Sequence, residues 1–440
     1  MRNSPDKHLP NLLVLPSKPI KSNRQYPKFA PRTGSKVLIV TQFYPPDYAA
    51  TGQLIAELAA QLSRLGMRIS IFTGQPGYVF NKDKDIAPKW EIFERVMVRR
   101  SRTSRLWPLR IRGRAINGLL FCARVAAHLI KNPRSQHLFL FTSEPPYLSV
   151  LGYLAHKLLG IRYACLLYDL YPDVAVALQV VPKKHGLVRF WDWLNRKIWQ
   201  NSRGIIVLSS SMKERVVAKC PEVEHKISVI PSWADPEAIV PRNKQDNWFA
   251  HQFGVNDRFT VQYSGNLGRC HDLDTILTAI ELLRDDPVQF LFIGHGAQLP
   301  ACQERVERLG LTNCRFLPYQ DKSVLPYSLT ACDLSLVSIS PGLEGLVAPS
   351  KLYGILAAGR PVAAVCEPHS YLRSLLREAK CGAAFDNGDA EGLADYIRYL
   401  AANPHVANRS GKSGRKYLNA HFTPEIVARQ YWQVLNRNKG

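Results

Sequence analysis

The sequence contains no run of about 18 uncharged apolar residues, the length a helix needs to cross a bilayer. The nearest candidate, YLSVLGYLAHKLLGIRYACLLYDLY, is broken by His156, Lys157 and Arg162, and it reads as a buried helix followed by a buried strand. There are nine cysteines, but no CxxC pair and no cysteine–histidine spacing that suits zinc. Scattered thiols of this kind are expected to be buried, in a reducing compartment. No GxGxxG follows the first apolar strand, which argues against a nicotinamide dehydrogenase. Acidic residues are scarce: 35 Asp and Glu stand against 58 Lys and Arg, leaving a net charge of +23. Such a surplus predicts an anionic partner, whether nucleic acid, a membrane surface or a phosphorylated substrate. No RNA- or DNA-binding module signature accompanies it, so a nucleic-acid binder ranks last. No signal-peptide pattern is expected at the N-terminus, where residues 1–35 read as a basic, proline-rich tail.

From Lys36 onward the chain alternates between short apolar runs and helical periodicity. KVLIVTQ, RISIFTG, HLFLFT, RYACLLYD, GIIVLS and ISVIPS read as buried strands. TGQLIAELAAQLSRLG reads as a helix, with Leu54, Leu58 and Leu62 at helical spacing and Gly66 as its stop. The pattern breaks at PSWADPEAIVPRNKQDNW and then restarts with FTVQYSGN, VQFLFIG, CRFLP, DLSLVSI and PVAAVC. Near-continuous apolar strands between helices predict parallel sheets covered on both faces. The fold class is therefore α/β, with two doubly wound domains at 36–235 and 236–422. An amphipathic helix over 423–440 closes the chain. Ligands of such sheets sit beyond the carboxyl ends of the strands, so two facing domains enclose a cleft.

Three glycine-bearing loops follow strands and are candidates for cradling a phosphate: Gly52, then Gly265 with Gly268, then Gly294 with Gly296. The stretch GLEGLVAPSKLYGILAAGRPVAAV, residues 342–365, is more specific. Ser350 reads as an N-cap and Gly359 as the helix stop. The backbone N–H groups of Lys351, Leu352 and Tyr353 are then expected to be free beside a lysine, a combination suited to a diphosphate. An ordinary capped helix accounts for the same residues. Gly354, inside this helix, costs about 0.5–1 kcal/mol relative to alanine and so calls for a local reason.

Taken together, KVLIVTQFYPPDYAATGQLIAELAAQLSRLG, YDLYPD, QYSGNLGRCHDLDTIL, FIGHGAQ and APSKLYGILAAGRPVAAV resemble glycosyltransferase family 4. The resemblance spans residues 36 to about 435 and is closest to bacterial enzymes that build exopolysaccharide, lipid-linked oligosaccharide or glycolipid. It implies the GT-B fold, two facing Rossmann-like domains, with a terminal helix returning to the N-terminal one. It also implies retaining transfer from a nucleotide-sugar, UDP by family frequency, with no metal and no cofactor. The donor would lie on Gly52, Gly265, Asn266, Arg269, His271, Gly294, Ser350, Lys351, Leu352 and Gly354. The family's two glutamates fall at Leu346 and Gly354 in this register, so Glu344 is the expected substitute for the first, and the ribose is expected to face Gly354. Asn266 stands at the family's arginine, leaving Arg269 or His271 to carry the positive charge. Asp169 would orient or deprotonate the acceptor hydroxyl, although capping of the following turn explains it equally, and Asp173 and Glu144 would lie on the acceptor side. A nucleotide-sugar 2-epimerase shares the fold and is the alternative enzyme.

The span KWEIFERVMVRRSRTSRLWPLRIRGR gathers Arg99, Arg100, Arg102, Arg105 and Arg110 around Trp107. The span GLVRFWDWLNRKIWQNS adds Phe190, Trp191, Trp193 and Trp199. Both read as surfaces for anionic lipid, which predicts peripheral attachment at the cytoplasmic face of the plasma membrane, near a glycan or lipid-linked acceptor.

Overall fold

A computed structural model describes residues 35–47, 49–76, 87–101, 111–132 and 137–437. The first part of the chain runs β1 (Lys36–Val40), α1 (Ala50–Arg64), β2 (Arg68–Thr73), β3 (Trp90–Phe93), β4 (Val96–Arg100), α2 (Ile111–Lys131), β5 (Leu138–Thr142), α3 (Leu148–Leu159) and β6 (Tyr163–Leu167). It continues through α4 (Asp173–Ala177), α5 (Gly186–Asn201), β7 (Ile205–Val207), α6 (Ser210–Lys219) and β8 (Ile227–Val229). These strands form one sheet in the order β3-β4-β2-β1-β5-β6-β7-β8. Strand alternation divides its two faces. Leu38, Val40, Phe139, Phe141, Tyr163 and Cys165 bury against α2, α3 and α5. Val37, Ile39, Leu138, Leu140, Ala164 and Leu166 bury on the side of α1.

The second part runs α7 (Trp248–Gln252), β9 (Phe259–Ser264), α8 (Asp274–Leu282), β10 (Val288–Ile293), α9 (Leu299–Arg308), β11 (Cys314–Leu317), α10 (Leu325–Ser328), β12 (Leu334–Ser338) and α11 (Lys351–Ala357). Then come β13 (Val362–Val365), α12 (Tyr371–Ala379), β14 (Gly382–Phe385), α13 (Ala390–Ala402), α14 (Pro404–His421) and α15 (Pro424–Asn436). Its sheet has the order β11-β10-β9-β12-β13-β14, and every pairing is parallel. In each sheet the strand order reverses direction once, between β1 and β5 and between β9 and β12. Those two switch points are where the strand ends diverge and leave room for a ligand.

The structure corrects the sequence reading in two places. The first sheet is not wholly parallel, because β3 pairs antiparallel with β4 through a turn in which Glu94 and Arg95 have φ of 45° and 68°. Trp90–Arg100, the first part of the span read as a basic surface, is thus a hairpin at the sheet edge. Strand β14 was not anticipated, because Gly-Ala-Ala-Phe carries little apolar signal of its own.

Helix α15 packs back on the first sheet's unit. Val427, Ala428, Tyr431, Val434 and Leu435 join the core that also contains α1, and Ser35 Oγ donates to Asn436 Oδ1 at 2.8 Å. The Tyr431 ring meets Trp233 edge-on, with centroids 6.3 Å apart. Across the cleft, Leu170 N–H donates to Leu346 O at 3.0 Å. Arg215 Nε donates to Glu344 O at 3.1 Å, and Lys322 pairs with Glu57 at 2.8 Å. Because Tyr431 is buried and holds the returning helix, Tyr431→Ala is expected to cost about 3–4 kcal/mol by cavity formation. The check is denaturant unfolding, in which the midpoint should fall.

Candidate active site

Helix α11 starts differently from the expectation. Ser350 lies in the helical region itself, and its hydroxyl caps nothing. Leu352 N–H donates to Pro349 O at 3.4 Å and Tyr353 N–H to Ser350 O at 3.3 Å, so neither is a free donor. The positive charge comes instead from the side chain of Lys351. Its stem is partly exposed, but the ammonium is shielded from solvent and has no hydrogen-bond partner among the described residues. Nζ lies 3.5 Å from the centre of the Tyr263 ring, and burial holds its pKa well below the usual lysine value. The ammonium faces the loop after β9. A Cβ added at Gly265 would stand 3.3 Å from Lys351 Cε and 3.6 Å from Nζ.

That loop is built by glycines. Gly265 (φ +132°) and Gly294 (φ +143°) both adopt backbone that side chains disfavour. A Cβ at Gly294 would lie 2.0 Å from Gly265 O, so the loops after β9 and β10 interleave only without one. Gly265 N–H donates to Ile293 O and Leu267 N–H to His295 O, at 2.8 and 2.9 Å. His271 Nδ1 lies 2.8 Å from Ser338 O. A carbonyl only accepts, so Nδ1 carries the hydrogen, tying β9's loop to the end of β12 across the switch point. Burial, and then the Lys351 charge, lower the His271 pKa to about 3, so the ring is neutral at pH 7.

Opposite them, at the ends of β5 and β6, stand Glu144 and Asp169. Thr51 Oγ1 donates to Glu144 Oε2 at 2.8 Å. Ser143 Oγ accepts from Tyr168 N–H at 2.9 Å and from Asp169 N–H at 3.3 Å, which sets the angle of that loop. Burial raises the Glu144 pKa, with Thr51 working against it and Asp47 adding to it. Burial, and then the Glu144 charge, push Asp169 up to about 7. Burial, and then the Asp169 charge, raise the pKa of Cys270 in the loop after β9 to about 11. A cation held by the second sheet and paired carboxylates held by the first therefore border one cleft.

Several expected residues lie elsewhere. Gly52 faces the backbone of Phe43 and Tyr44, at 3.0 Å from an added Cβ, and serves close packing of the β1–α1 loop. Asn266 is exposed, and its carbonyl accepts from the Tyr263 hydroxyl at 3.1 Å. Arg269 donates to Leu178 O at 2.7 Å, bridging the units at the end of α4. Asp173 is taken up by Lys219, which also pairs with Asp192, both at 2.5 Å. Glu344 is 0% exposed; Oε1 accepts from Tyr371 N–H at 3.4 Å at the start of α12, and Oε2 has no partner. It is enclosed rather than open to the cleft. Gly354 faces Leu329 and Ile239, at 3.3 and 4.0 Å from an added Cβ, so an apolar contact occupies the direction assigned to the ribose. Arg100 is 2% exposed, paired with Glu91 at 2.5 Å and bonded to Pro45 O and Pro88 O, so it cannot touch a membrane. Arg99 stacks on Trp90, 4.6 Å from its centre. Arg102, Arg105, Trp107 and Arg110 lie outside the described residues. The sequence reading missed Thr51, Ser143 and Tyr263, whose roles rest on partners distant in the chain and leave no local signal.

Two outcomes follow. Asp169 ionises near pH 4 when unfolded but near 7 when folded, so stability is present below about 4 and is lost as pH rises toward 7. Asp169→Asn should raise the melting temperature at pH 8, with a gain of roughly 2–4 kcal/mol, and leave it nearly unchanged at pH 4. Thermal scans across pH read this. Gly354→Glu should lower the melting temperature by driving a carboxylate against Leu329 and Ile239, at about 2 kcal/mol or more.

Comparison with known proteins bears on the family and the fold. Residues 50–233 match the glycosyl transferase 4-like domain, and residues 244–417 match the glycosyl transferases group 1. The chain is 24% identical to the putative colanic acid biosynthesis glycosyl transferase WcaI of Escherichia coli K12, over 90% of this chain and 98% of that one. Sucrose-phosphate synthase of Thermosynechococcus elongatus superposes with a TM-score of 0.72 at 18% identity, covering 92% of this chain and 98% of that one. Anabaena HepE, solved with UDP-glucose, superposes at 0.68 and 16% identity, covering 92% and 100%. The two domain matches together take in most of the chain, and it belongs to the GT-B glycosyltransferases of family 4.

Proposed function

We propose that this glycosyltransferase moves a sugar from a nucleotide-sugar, a UDP-sugar in the first instance, to a glycan or lipid-linked acceptor at the cytoplasmic face of the plasma membrane. One observation carries the reading: the Lys351 ammonium is enclosed at the β9/β12 switch point with no counter-ion among the described residues. A buried unpaired charge is costly, and an anion drawn in beside it offsets that cost. A diphosphate suits the place, because Gly265 puts no side chain between the loop and the ammonium and neutral His271 adds no competing cation. The relatives point the same way. HepE is described with UDP-glucose, and WcaI is assigned to colanic acid biosynthesis.

In this reading Lys351 stabilises the leaving diphosphate, and no metal is needed for that. The acceptor hydroxyl attacks from the face on which the diphosphate departs, so the anomeric configuration is retained. Asp169, which titrates near neutrality, orients that hydroxyl and takes up or passes on its proton. Glu144 keeps the pair from ionising together.

The test is calorimetric titration with UDP, GDP and ADP on the intact chain and on Lys351→Met. The intact chain should bind one of them, and the variant should lose about 1.5–3 kcal/mol of that affinity. The same variant should melt higher than the parent without nucleotide, since it removes an uncompensated buried charge. Unchanged affinity would overturn the assignment.

A further inference from the structure

The helices on one face of the first sheet expose apolar side chains that the fold does not cover. On α5, Leu187, Phe190 and Trp193 recur every three residues along one stripe. Phe190 is 56% and Trp193 51% exposed, and their rings stack at 5.8 Å. Helix α3, which packs beside α5, adds Leu154 and Leu158, the latter 79% exposed. Helix α2, packed on α3, adds Leu119. On the opposite face, α1 exposes no large hydrophobic residue and α15 only Trp432. Contiguous exposed apolar residues of this kind mark an interaction surface.

The charges around this layer select the partner. Between Arg95 and Lys213 the sequence holds 20 basic and four acidic residues, a surplus of 16 out of the chain's +23. None of the four acids neutralises the outer surface. Glu144 and Asp169 border the cleft, and Asp173 and Asp192 share Lys219. Exposed Lys183, Lys184, Arg189 and Arg196 flank the stripe on α5. A second copy of so basic a face would repel the first. A surface that offers anionic headgroups above hydrocarbon satisfies both features, because aromatic rings settle at the headgroup level while lysine and arginine reach the phosphates.

We infer that the α2–α3–α5 face docks the enzyme on an anionic bilayer, with the α5 stripe inserted at the headgroup boundary. This deepens the proposed action at a membrane and moves the contact from the β4 arginines to the helical layer. It rests on the membrane-side part of the proposed function, not on the nucleotide site.

The experiment is flotation of the full chain with phosphatidylcholine vesicles, with and without phosphatidylglycerol, at low and high salt. The protein should float with the anionic vesicles and be released by salt. Phe190→Ser combined with Trp193→Ser should weaken that binding roughly tenfold, and Lys183→Glu combined with Lys184→Glu should abolish the preference for phosphatidylglycerol. Both variants should keep the parent's melting temperature and UDP affinity, which separates this inference from the donor site. Parental vesicle binding by both variants would overturn it. So would failure of the parent to float, or a loss of self-association in the stripe variant with vesicle binding intact.

Discussion

An ammonium without a counter-ion is the constraint around which the cleft is arranged. Lys351 Nζ sits over the Tyr263 ring, out of solvent, and among the described residues the ring face alone offsets its charge. Such a group is tolerated when the surrounding structure holds it in place. Here the hold comes from three elements: α11 supplies the lysine, β9 supplies Tyr263, and the β9 loop keeps Gly265 opposite the ammonium. His271 stays neutral partly because Lys351 is charged, so one residue sets the electrostatics of its neighbour.

The carboxylates on the other side depend on the same enclosure. Asp169 is raised first by burial and only then by Glu144, and the next residue, Leu170, is bonded to Leu346 of the second unit. Four contacts keep the cleft closed: Leu170 to Leu346, Arg215 to Glu344, Arg269 to Leu178, and Lys322 to Glu57. Three of these end on backbone carbonyls and are insensitive to the side chain at the acceptor position.

The excess of positive charge has two destinations. Some cations are structural: Arg100 is enclosed with Glu91, and Arg415 binds the carbonyls of Pro236 and Ile239. Others are exposed, among them Lys183, Lys184, Arg189 and Arg196 of the first unit. Composition alone does not separate the two, because an arginine that binds backbone oxygens and one that faces solvent add the same charge.

The fold class was legible because its signals are local: apolar runs of strand length, helical spacing, and glycines after strands. The hairpin β3–β4 was hidden, because its residues alternate charge with aromatic rings and resemble a basic surface. The site was half legible. Lys351, Gly265, Gly294, His271, Glu144 and Asp169 were singled out from motifs and do border the cleft. Gly52, Asp173, Arg269 and Gly354 were also singled out; the two glycines pack against neighbouring atoms, Asp173 pairs with Lys219, and Arg269 donates to the Leu178 carbonyl. By itself the sequence determined most of the strand and helix order, without β3, β4 and β14, together with the two-unit architecture and the position of the lysine at a helix start. Only the tertiary structure decided what each side chain meets. Lys351 is unpaired, Glu344 enclosed and Arg100 buried because of residues tens to hundreds of positions away, and burial and pairing are properties of that assembled environment.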